Sequence, residues 1–257
     1  MLNKEARRRI IIPARLASTR LPNKPLLDIA GKPMIQWVYE QALLCNVDSV
    51  LIATDDQKIK AVAEGFGAEV CLTSPDHISG TDRLAEAAKL SGYQDDDLII
   101  NIQGDEPLIP VQNVIQVADN LAENNDAAMS TLCEPILDHA EVFNENCVKV
   151  VLDKNGYALY FSRAPIPWGR GAFPEHVPEN IKCYRHIGLY AYRGEFLRRY
   201  SKLEQSPIEN WESLEQLRVL WHGEKIHVGI ACSETPAGVD TKEDLERVRA
   251  FLTKSTH

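Results

Sequence analysis

The sequence predicts an α/β protein with a mostly parallel sheet, helices on both of its faces, and an antiparallel extension or small additional lobe. In the first half, short runs rich in Ile, Val and Leu alternate with segments of helical periodicity. Near-continuous apolar strands separated by helices are typical of parallel sheets covered on both faces. After about residue 125, strands follow one another without full crossover helices. Short connections favour antiparallel pairing.

The first half is predicted to alternate between strand and helix. Strands are expected at 9–12, 49–53, 69–72 and 98–102, with helices at 34–44, about 57–66 and 83–90, and a further helix beginning at Pro110. Parallel sheets bind ligands beyond the carboxyl ends of their strands. Residues that directly follow a strand are therefore the first candidates for a functional site.

The second half is predicted to contain more strands and fewer helices. Strands are expected at 127–132, 148–152, 157–161, 187–192 and 226–230, with helices at about 208–221 and 242–252. Residues 164–184 carry four prolines and are expected to form a long irregular loop, which in a compact protein is usually functional or interfacial. Since no low-complexity linker interrupts the chain, a single domain over residues 1–257 is predicted.

Charge and composition exclude several classes of function. The formal net charge of −9 disfavours general binding to nucleic acid or to an anionic membrane surface. The basic residues Arg7–Arg9 are expected to be part of a solvated tail rather than a nucleic-acid arm. No apolar run reaches the ~20 residues of a membrane-spanning helix, and no leader pattern is visible. The six cysteines are scattered singly, as in proteins of a reducing cytoplasm.

The segment after the first strand concentrates positive charge. Arg15, Arg20 and Lys24 lie within ten residues of one another, and nearby prolines stiffen the turn. Clustered cations repel each other, so a bound anion such as a triphosphate would stabilise them. The loop is neither a Walker A nor a dinucleotide motif. Solvated loop charges are the alternative interpretation.

Two aspartates each follow a glycine at a position suited to a hard cation. Asp105 lies three positions after the end of the strand at 98–102, where its carboxylate could bind Mg²⁺, with Glu106 as a second ligand or a structural partner. The alternative for Asp105 is a helix cap, although the helix at Pro110 begins too far away. For Asp240 the alternative is stronger, because Asp240 or Thr241 could cap the helix that follows, in a run that is typical of a capping box.

Eleven short motifs occur in an order that resembles the bacterial 3-deoxy-manno-octulosonate (Kdo) cytidylyltransferases, or CMP-Kdo synthetases. They are IIPAR (11–15), STRLP (18–22), KPL (24–26), GKPMI (31–35), ATD (53–55), SGT (79–81), QGDEP (103–107), YFSRA (160–164), RHIG (185–188), LEQLR (214–218) and GVDT (238–241). Asn23, Asp82 and residues 210–213 depart from the usual pattern of the family. The last departure lies near the expected sugar pocket and leaves the exact sugar acid open.

The resemblance implies a Rossmann-like nucleotidyltransferase sheet and a homodimer held by the small lobe. Residues 1–125 would mainly bind CTP, and residues 126–257 would bind the sugar acid and form the dimer contact. The anomeric hydroxyl of Kdo would attack the α-phosphate of CTP, giving CMP-Kdo for lipopolysaccharide synthesis and releasing pyrophosphate. Two Mg²⁺ ions would take part, one held by Asp105 and Asp240 and one carried by the triphosphate. Lys24, Asp105 and Asp240 are the expected catalytic residues.

The remaining site residues are also implied by the resemblance. Expected nucleotide-binding residues are Pro13, Ala14, Arg15, Arg20, Lys24, Ser79, Gly80, Thr81 and Arg83. Expected sugar-binding residues are Gln103, Tyr160, Arg163, His186, Tyr190, Glu215 and Gln216. Arg83 could equally be a surface helix charge, and His186 a satisfied residue at a strand edge.

Two other functions remain open at this point. One is transfer of CMP to a related sugar acid, such as 8-amino-Kdo or a sialic acid. The other is an inactive nucleotide-binding regulator, which would be expected to lose at least one of the charged site residues that this chain retains.

Overall fold

A computed structural model describes residues 6–16, 21–77, 79–176 and 182–255 of the chain. The strands are β1 (Arg8–Ala14), β2 (Asp28–Ile29), β3 (Lys32–Pro33), β4 (Ser49–Thr54), β5 (Glu69–Leu72), β6 (Leu98–Asn101), β7 (Met129–Pro135), β8 (Lys149–Leu152), β9 (Ala158–Ser162), β10 (Tyr184–Arg193) and β11 (Ile226–Ile230). The helices are α1 (Met34–Leu43), α2 (Gln57–Gly65), α3 (Gly80–Leu90), α4 (Val111–Glu123), α5 (His139–Phe143), α6 (Gly194–Tyr200), α7 (Pro207–Glu212), α8 (Gln216–Trp221) and α9 (Lys242–Ser255). A short 3-10 turn covers Lys24–Leu26.

Most strands belong to one mixed sheet. Its order is β11-β7-β10-β6-β1-β4-β5, and β8 and β9 extend it from β10. Strands β6, β1, β4 and β5 are parallel to one another, and β11 is parallel to β7. Strand β10 lies between β6 and β7 and is antiparallel to both. The predicted α/β class, with its antiparallel extension, is confirmed.

The central strands are buried on both faces, as their apolar runs predict. Ile10 and Ile12 pack into one core with α1, α2 and α4, whereas Ile11 packs into a second core with α3, α6 and α8. All three isoleucines are fully buried. This alternation follows from the two-residue period of a strand, which sends successive side chains to opposite faces.

One predicted helix is wrong. The segment 208–221 forms two short helices, α7 and α8, because Ser213 between them adopts a left-handed conformation with φ of 53°. A buried ion pair, 2.6 Å from Arg218 Nη2 to Glu209 Oε1, ties the two helices together. The break turns residues 213–216 toward the carboxyl ends of the central strands. Helices α5 and α6 were not predicted.

No helix within the described ranges is long and apolar enough to cross a membrane. Residues 164–176 are irregular, as expected for that loop, apart from turns.

Candidate active site

A cavity of about 1060 Å³ opens beyond the carboxyl ends of β1 and β6. Its other walls come from the start of α3, from β10 and from the junction between α7 and α8. Most of the predicted site residues line it. They are Pro13, Ala14, Arg15, Lys24, Ser79, Gly80, Thr81, Arg83, Gln103, Asp105, His186, Tyr190, Glu215, Gln216 and Asp240.

Two of the described site residues are not brought to this cavity, and a third predicted residue, Arg20, lies outside the described residues. Tyr160 and Arg163 are described, but neither lines the cavity. The Arg163 guanidinium is turned instead toward the protein backbone, where Nε donates to the Glu212 carbonyl at 2.6 Å and Nη1 to the Glu145 carbonyl at 3.0 Å. The structure therefore shows a backbone-bonding role for this guanidinium, and sugar binding by Arg163 stays a prediction.

Lys24 bridges the two aspartates at the centre of the cavity. Its Nζ lies 2.5 Å from Asp105 Oδ2 and 3.0 Å from Asp240 Oδ1. Burial lowers the pKa of Lys24, but the two ion pairs outweigh burial and leave that pKa above its ordinary value. The lysine therefore stays protonated and offsets the repulsion between the carboxylates. One of the three clustered cations thus has anionic partners within the protein.

Close backbone packing brings Asp105 and Asp240 together. The Val239 N–H donates to the Asp105 carbonyl at 2.9 Å, which joins the two loops directly. A Cβ at position 238 would lie 3.3 Å from the same carbonyl oxygen, and one at position 104 would lie 2.8 Å from the Pro13 carbonyl. Glycine at both positions lets these backbones approach one another.

Helix capping does not occupy either aspartate. The residue at the start of α4 is Pro110, five positions beyond Asp105. At the start of α9, Thr241 Oγ1 accepts from the Asp244 N–H at 3.2 Å, and Asp244 Oδ2 accepts from the Thr241 N–H at 3.0 Å. This is the reciprocal pattern of a capping box. The alternative that Asp240 is the cap is therefore wrong, and its carboxylate faces Lys24.

On one side, the first turn of α3 closes the cavity. Ser79 caps this helix by accepting from the Asp82 N–H at 3.0 Å. Arg83 is buried, and it donates to Thr73 Oγ1 at 2.6 Å and to Asp55 Oδ2 at 3.0 Å. These bonds exclude the alternative that Arg83 is a surface helix charge.

On the opposite side, β10 presents His186 and Tyr190. The register of β10 against β7 shifts between Ile187 and Tyr190. The Thr131 hydroxyl lies 3.0 Å from His186 Nε2 and donates to the carbonyls of Ile187 and Leu189. Because the single hydroxyl proton of Thr131 is directed at these carbonyls, His186 Nε2 is the donor toward Thr131. The ring is neutral at pH 7 because burial lowers its pKa. Burial lowers the pKa of His186 to about 3 and raises that of Tyr190 well above its usual value.

Two side chains of the cavity carry a buried polar atom without a hydrogen-bond partner among the described residues. They are the Oδ1 atom of Asn101 and the Nε2 atom of Gln216. Leaving such an atom unpaired costs ~1–3 kcal/mol, so a polar ligand is favoured at both positions. Asn101 was not predicted, although a polar residue near the end of an apolar strand is a readable signal. Arg185, which lines the cavity and donates to Glu134 at 2.6 Å, was also missed.

The acidic centre has the donor set of a site for a hard cation. Two carboxylates already converge on one cation, the Lys24 ammonium. The neighbouring Glu106 has a buried Oε2 without a hydrogen-bond partner among the described residues. Burial, and secondly the charge of Asp105, raise the pKa of Glu106 to about 8. Mg²⁺ prefers carboxylate and water oxygens and keeps several positions for substrate, so this arrangement fits it. No cluster of three or more potential ligands was found within the described ranges.

A protein-family model described as cytidylyltransferase matches residues 9–226. The chain is 59% identical over 244 residues to a 3-deoxy-manno-octulosonate cytidylyltransferase of Francisella tularensis subsp. novicida (strain U112), covering 95% of this chain and 97% of the relative. It is 55% identical over 246 residues to a protein of the same name from Coxiella burnetii (strain Dugway 5J108-111), covering 95% and 99%.

Solved structures give the same picture. The fold matches CMP:2-keto-3-deoxy-manno-octonic acid synthetase complexed with CTP, with a TM-score of 0.89 and 43% identity over 97% of this chain and 100% of the other. A cytidylyltransferase from Leptospira borgpetersenii serovar Hardjo-bovis (strain JB197) shares the fold at 17% identity, with a TM-score of 0.63 over 97% of this chain and 87% of the other.

Proposed function

This chain belongs to the 3-deoxy-manno-octulosonate cytidylyltransferases, and on that premise we propose that it transfers CMP from CTP to the anomeric hydroxyl of Kdo. The products are CMP-Kdo, for lipopolysaccharide synthesis, and pyrophosphate. The reaction would take place in the cytoplasm, since all six cysteines are free thiols and four of them are buried.

The observation that carries this proposal is the position of the Lys24–Asp105–Asp240 cluster. It lies in the same cavity as the start of α3 on one side and the polar residues of β10 and α8 on the other. A nucleotide and a polyol acid bound at these two sides would meet at the charged cluster. The cavity of about 1060 Å³ is large enough for both substrates.

Different residues of the cavity would bind the nucleotide and the sugar acid. Ser79, Gly80 and Thr81 would contact the base and ribose, while Arg15 and Lys24 would bind the triphosphate oxygens. Glu215, Gln216 and the neutral His186 would hydrogen-bond the sugar hydroxyls. The unpartnered Nε2 of Gln216 is a donor ready for this role.

In the reaction, a bond forms between the anomeric oxygen and the α-phosphorus, and the bond from that phosphorus to the bridging oxygen breaks. The hydroxyl proton passes to solvent water, and the electron pair of the broken bond leaves with pyrophosphate. Catalysis then depends mainly on positioning and on neutralising charge between two anionic substrates. The chain supplies cations on the phosphate side and carboxylates on the side of the attacking hydroxyl.

We place Mg²⁺ between Asp105 and Asp240, with a second ion carried by the triphosphate. The bound ion would lower the pKa of the attacking hydroxyl and offset the charge that builds up at phosphorus. Asp105 and Asp240 would hold it, and Lys24 would then lose its two carboxylate partners. Because the ammonium remains charged, it would turn toward the phosphates.

A second copy of this chain is the expected partner. The exposed large apolar side chains of the second half include Leu159 (61%), Trp168 (57%) and Trp211 (82%). The Ser162 hydroxyl donates to Glu212 at 2.6 Å, which joins the end of β9 to α7. Exposed apolar groups on adjoining elements favour a protein interface. Light scattering of the wild type and of Trp211→Glu tests this homodimer, which the substitution should dissociate.

The substrate assignment is tested by pyrophosphate release from CTP with a panel of sugar acids. The panel contains Kdo, 8-amino-Kdo and N-acetylneuraminic acid, with Asp105→Asn as the inactive control. Kdo should give the highest kcat/KM. A higher value for either of the other acids would assign the enzyme to that sugar. Binding of CTP without turnover of any acid would support the inactive regulator instead.

A further inference from the structure

Lys149 is a fully buried lysine whose ammonium contacts only backbone carbonyls. It is 0% exposed, and its Nζ donates to the carbonyls of Asn144, Cys147 and Arg163 at 2.8, 2.5 and 2.6 Å. These bonds use all three ammonium donors. No carboxylate forms a salt bridge with Lys149 within the described residues. Burial lowers its pKa accordingly.

The three carbonyls belong to two separate stretches of chain. Asn144 and Cys147 lie in the segment 144–148, whose residues 146–148 line the cavity. Arg163 directly follows β9. Lys149 itself begins β8, so the ammonium fixes the segment 144–148 against the end of the β8–β9 hairpin.

Arg163 continues the connection to the opposite wall. Its carbonyl accepts from Lys149, and its guanidinium donates to the carbonyls of Glu145 and Glu212. The Glu212 carboxylate in turn accepts from the Arg163 N–H at 2.9 Å. Glu212 ends α7 and immediately precedes residues 213–216, which line the cavity. Lys149 and Arg163 therefore join the segments 144–148 and 213–216.

We propose that Lys149 and Arg163 are a positioning pair that sets the distance between these two walls of the sugar side. Neither residue contacts substrate in this scheme. The pair acts through the backbone that carries Glu215 and Gln216. Burying a charged side chain is costly, and an apolar side chain of similar size at position 149 would avoid that cost. The hydrogen bonds of the Lys149 ammonium are therefore the reason for a lysine at this position. This inference rests on the proposed sugar-binding role of the 213–216 wall.

The test compares Lys149→Met and Arg163→Gln with Lys154→Met, a control in the exposed turn of the same hairpin. Both positioning variants should raise the KM for Kdo about 10- to 100-fold, because small displacements of binding groups have effects of this size. The KM for CTP should change less than threefold. Lys149→Arg, which keeps the charge and donors, should recover part of the loss.

Two further measurements separate positioning from direct contact. The double variant should be no worse than about the poorer single variant, because both substitutions break the same connection. Competitive inhibition by Kdo methyl ester should weaken in parallel with the KM for Kdo, since no carboxylate contact is lost. If Arg163→Gln raised the KM for Kdo but left the inhibition constant of Kdo methyl ester unchanged, the guanidinium would be a direct ligand of the carboxylate. That result would overturn the proposal.

Folding failure and failure of the substrate assignment are distinguished within the same experiment. If Lys149→Met does not fold, Arg163→Gln alone decides, and an unchanged KM for Kdo in it refutes the pair. An equal rise in both KM values would indicate a merely structural role and would also refute it. If the wild type does not use Kdo, the proposed function fails. A rise in the KM for whichever sugar acid the enzyme does use, in both positioning variants, would still support the pair.

Discussion

Thr81 Oγ1 donates a hydrogen bond of 2.9 Å to Glu215 Oε2, joining two residues that lie 134 positions apart. Thr81 belongs to the first turn of α3, on the side of the cavity that we propose binds the nucleotide. Glu215 lies at the junction of α7 and α8, on the side that we propose binds the sugar. The two sides therefore share a charge-assisted hydrogen bond, and the orientation of the Glu215 carboxylate depends on a residue of the nucleotide side.

Thr81→Val should impair use of the sugar acid. Valine keeps the shape of threonine but leaves Glu215 Oε2 without this donor. A hydrogen bond to a charged group is worth about 1.5–3 kcal/mol, so the KM for Kdo should rise by roughly 10- to 100-fold. Steady-state kinetics with each substrate varied in turn measure the effect. Thr81→Ser, which keeps the hydroxyl, is the control, and a Kdo KM that is the same in both variants would refute the coupling.

The residues at strand ends were predictable because the sheet imposes their location. Gly104 and Asp105 follow one apolar run, and the cationic loop follows β1. Both features are therefore predicted to lie at the same edge of a parallel sheet. The strands themselves were readable from their apolar runs, and both faces of β1 are buried as expected. The capping box at Thr241 was also recognisable from its spacing, although spacing alone left Asp240 as a competing cap.

Features set by long-range pairing were not predictable. Nothing in the segment around Ser213 signals a left-handed residue, so the break between α7 and α8 was missed. The insertion of β10 between β6 and β7 depends on pairing over roughly fifty to ninety-five positions, which periodicity does not encode. The Arg163 guanidinium donates to the carbonyls of Glu145 and Glu212, 18 and 49 positions away, whereas residue type alone favoured an anionic ligand.

Lys24→Met should leave the acidic cluster without its internal cation. Asp105 and Asp240 would then repel each other, and the melting temperature in EDTA should fall. Millimolar MgCl₂ should raise the melting temperature of Lys24→Met by more than it raises that of the wild type, because an ion that binds the folded state stabilises it. Differential scanning fluorimetry checks this.

The matched control is Lys32→Met, which removes a partly exposed ion pair outside the cavity. In that pair, Lys32 Nζ lies 2.8 Å from Glu40 Oε2. Exposed pairs contribute only about 0–1 kcal/mol, so its melting temperature should change little and should not depend on Mg²⁺. An equal response of the two variants to MgCl₂ would contradict an ion site at Asp105 and Asp240.

Gly104→Ala should distort the nucleotide side. The added Cβ would lie 2.8 Å from the Pro13 carbonyl, a backbone atom that cannot rotate away. Overpacking of this kind costs ~1–3 kcal/mol in the free energy of unfolding, and the KM for CTP should rise as Pro13 shifts. Urea unfolding and kinetics measure both effects. Gly65→Ala in α2, where an added Cβ meets nothing within 4 Å, should be neutral or stabilising; equal behaviour of both variants would argue against the close approach.

His186 should make the stability depend on pH. Its folded-state pKa of about 3 lies below the ordinary value of 6.5, so between these values the unfolded chain binds a proton that the folded chain does not. The stabilisation is present above pH 6.5 and is lost as the pH falls, by up to about 1.4 kcal/mol per pH unit.

In His186→Gln, the free energy of unfolding should therefore fall less than in the wild type as the pH is lowered from about 6.5 to about 4.5. Urea titrations across that range measure it, with the exposed His222→Gln as the control. If the His186 variant and the wild type lost stability at the same rate, the histidine would not be neutral in the folded state.

The central claim is that Asp105 and Asp240 act together on one metal ion. Their backbone loops are joined by the 2.9 Å bond from the Val239 N–H to the Asp105 carbonyl, and their carboxylates converge on Lys24. The neighbouring Asp244 provides a matched control, because it belongs to the capping box of α9 and not to the cavity. Asp244→Asn should lower the free energy of unfolding by ~0.5–2 kcal/mol and leave kcat nearly unchanged.

The most direct measurement is kcat over a range of Mg²⁺ concentrations for Asp105→Asn, Asp240→Asn and the double variant, with melting curves on the same samples. Each single variant should melt close to the wild type and lose kcat by ~100-fold or more. The double variant should be hardly worse than either single one, because both substitutions disable the same ion. Losses that multiply in the double variant would mean that the two aspartates act independently, and would contradict the shared metal site.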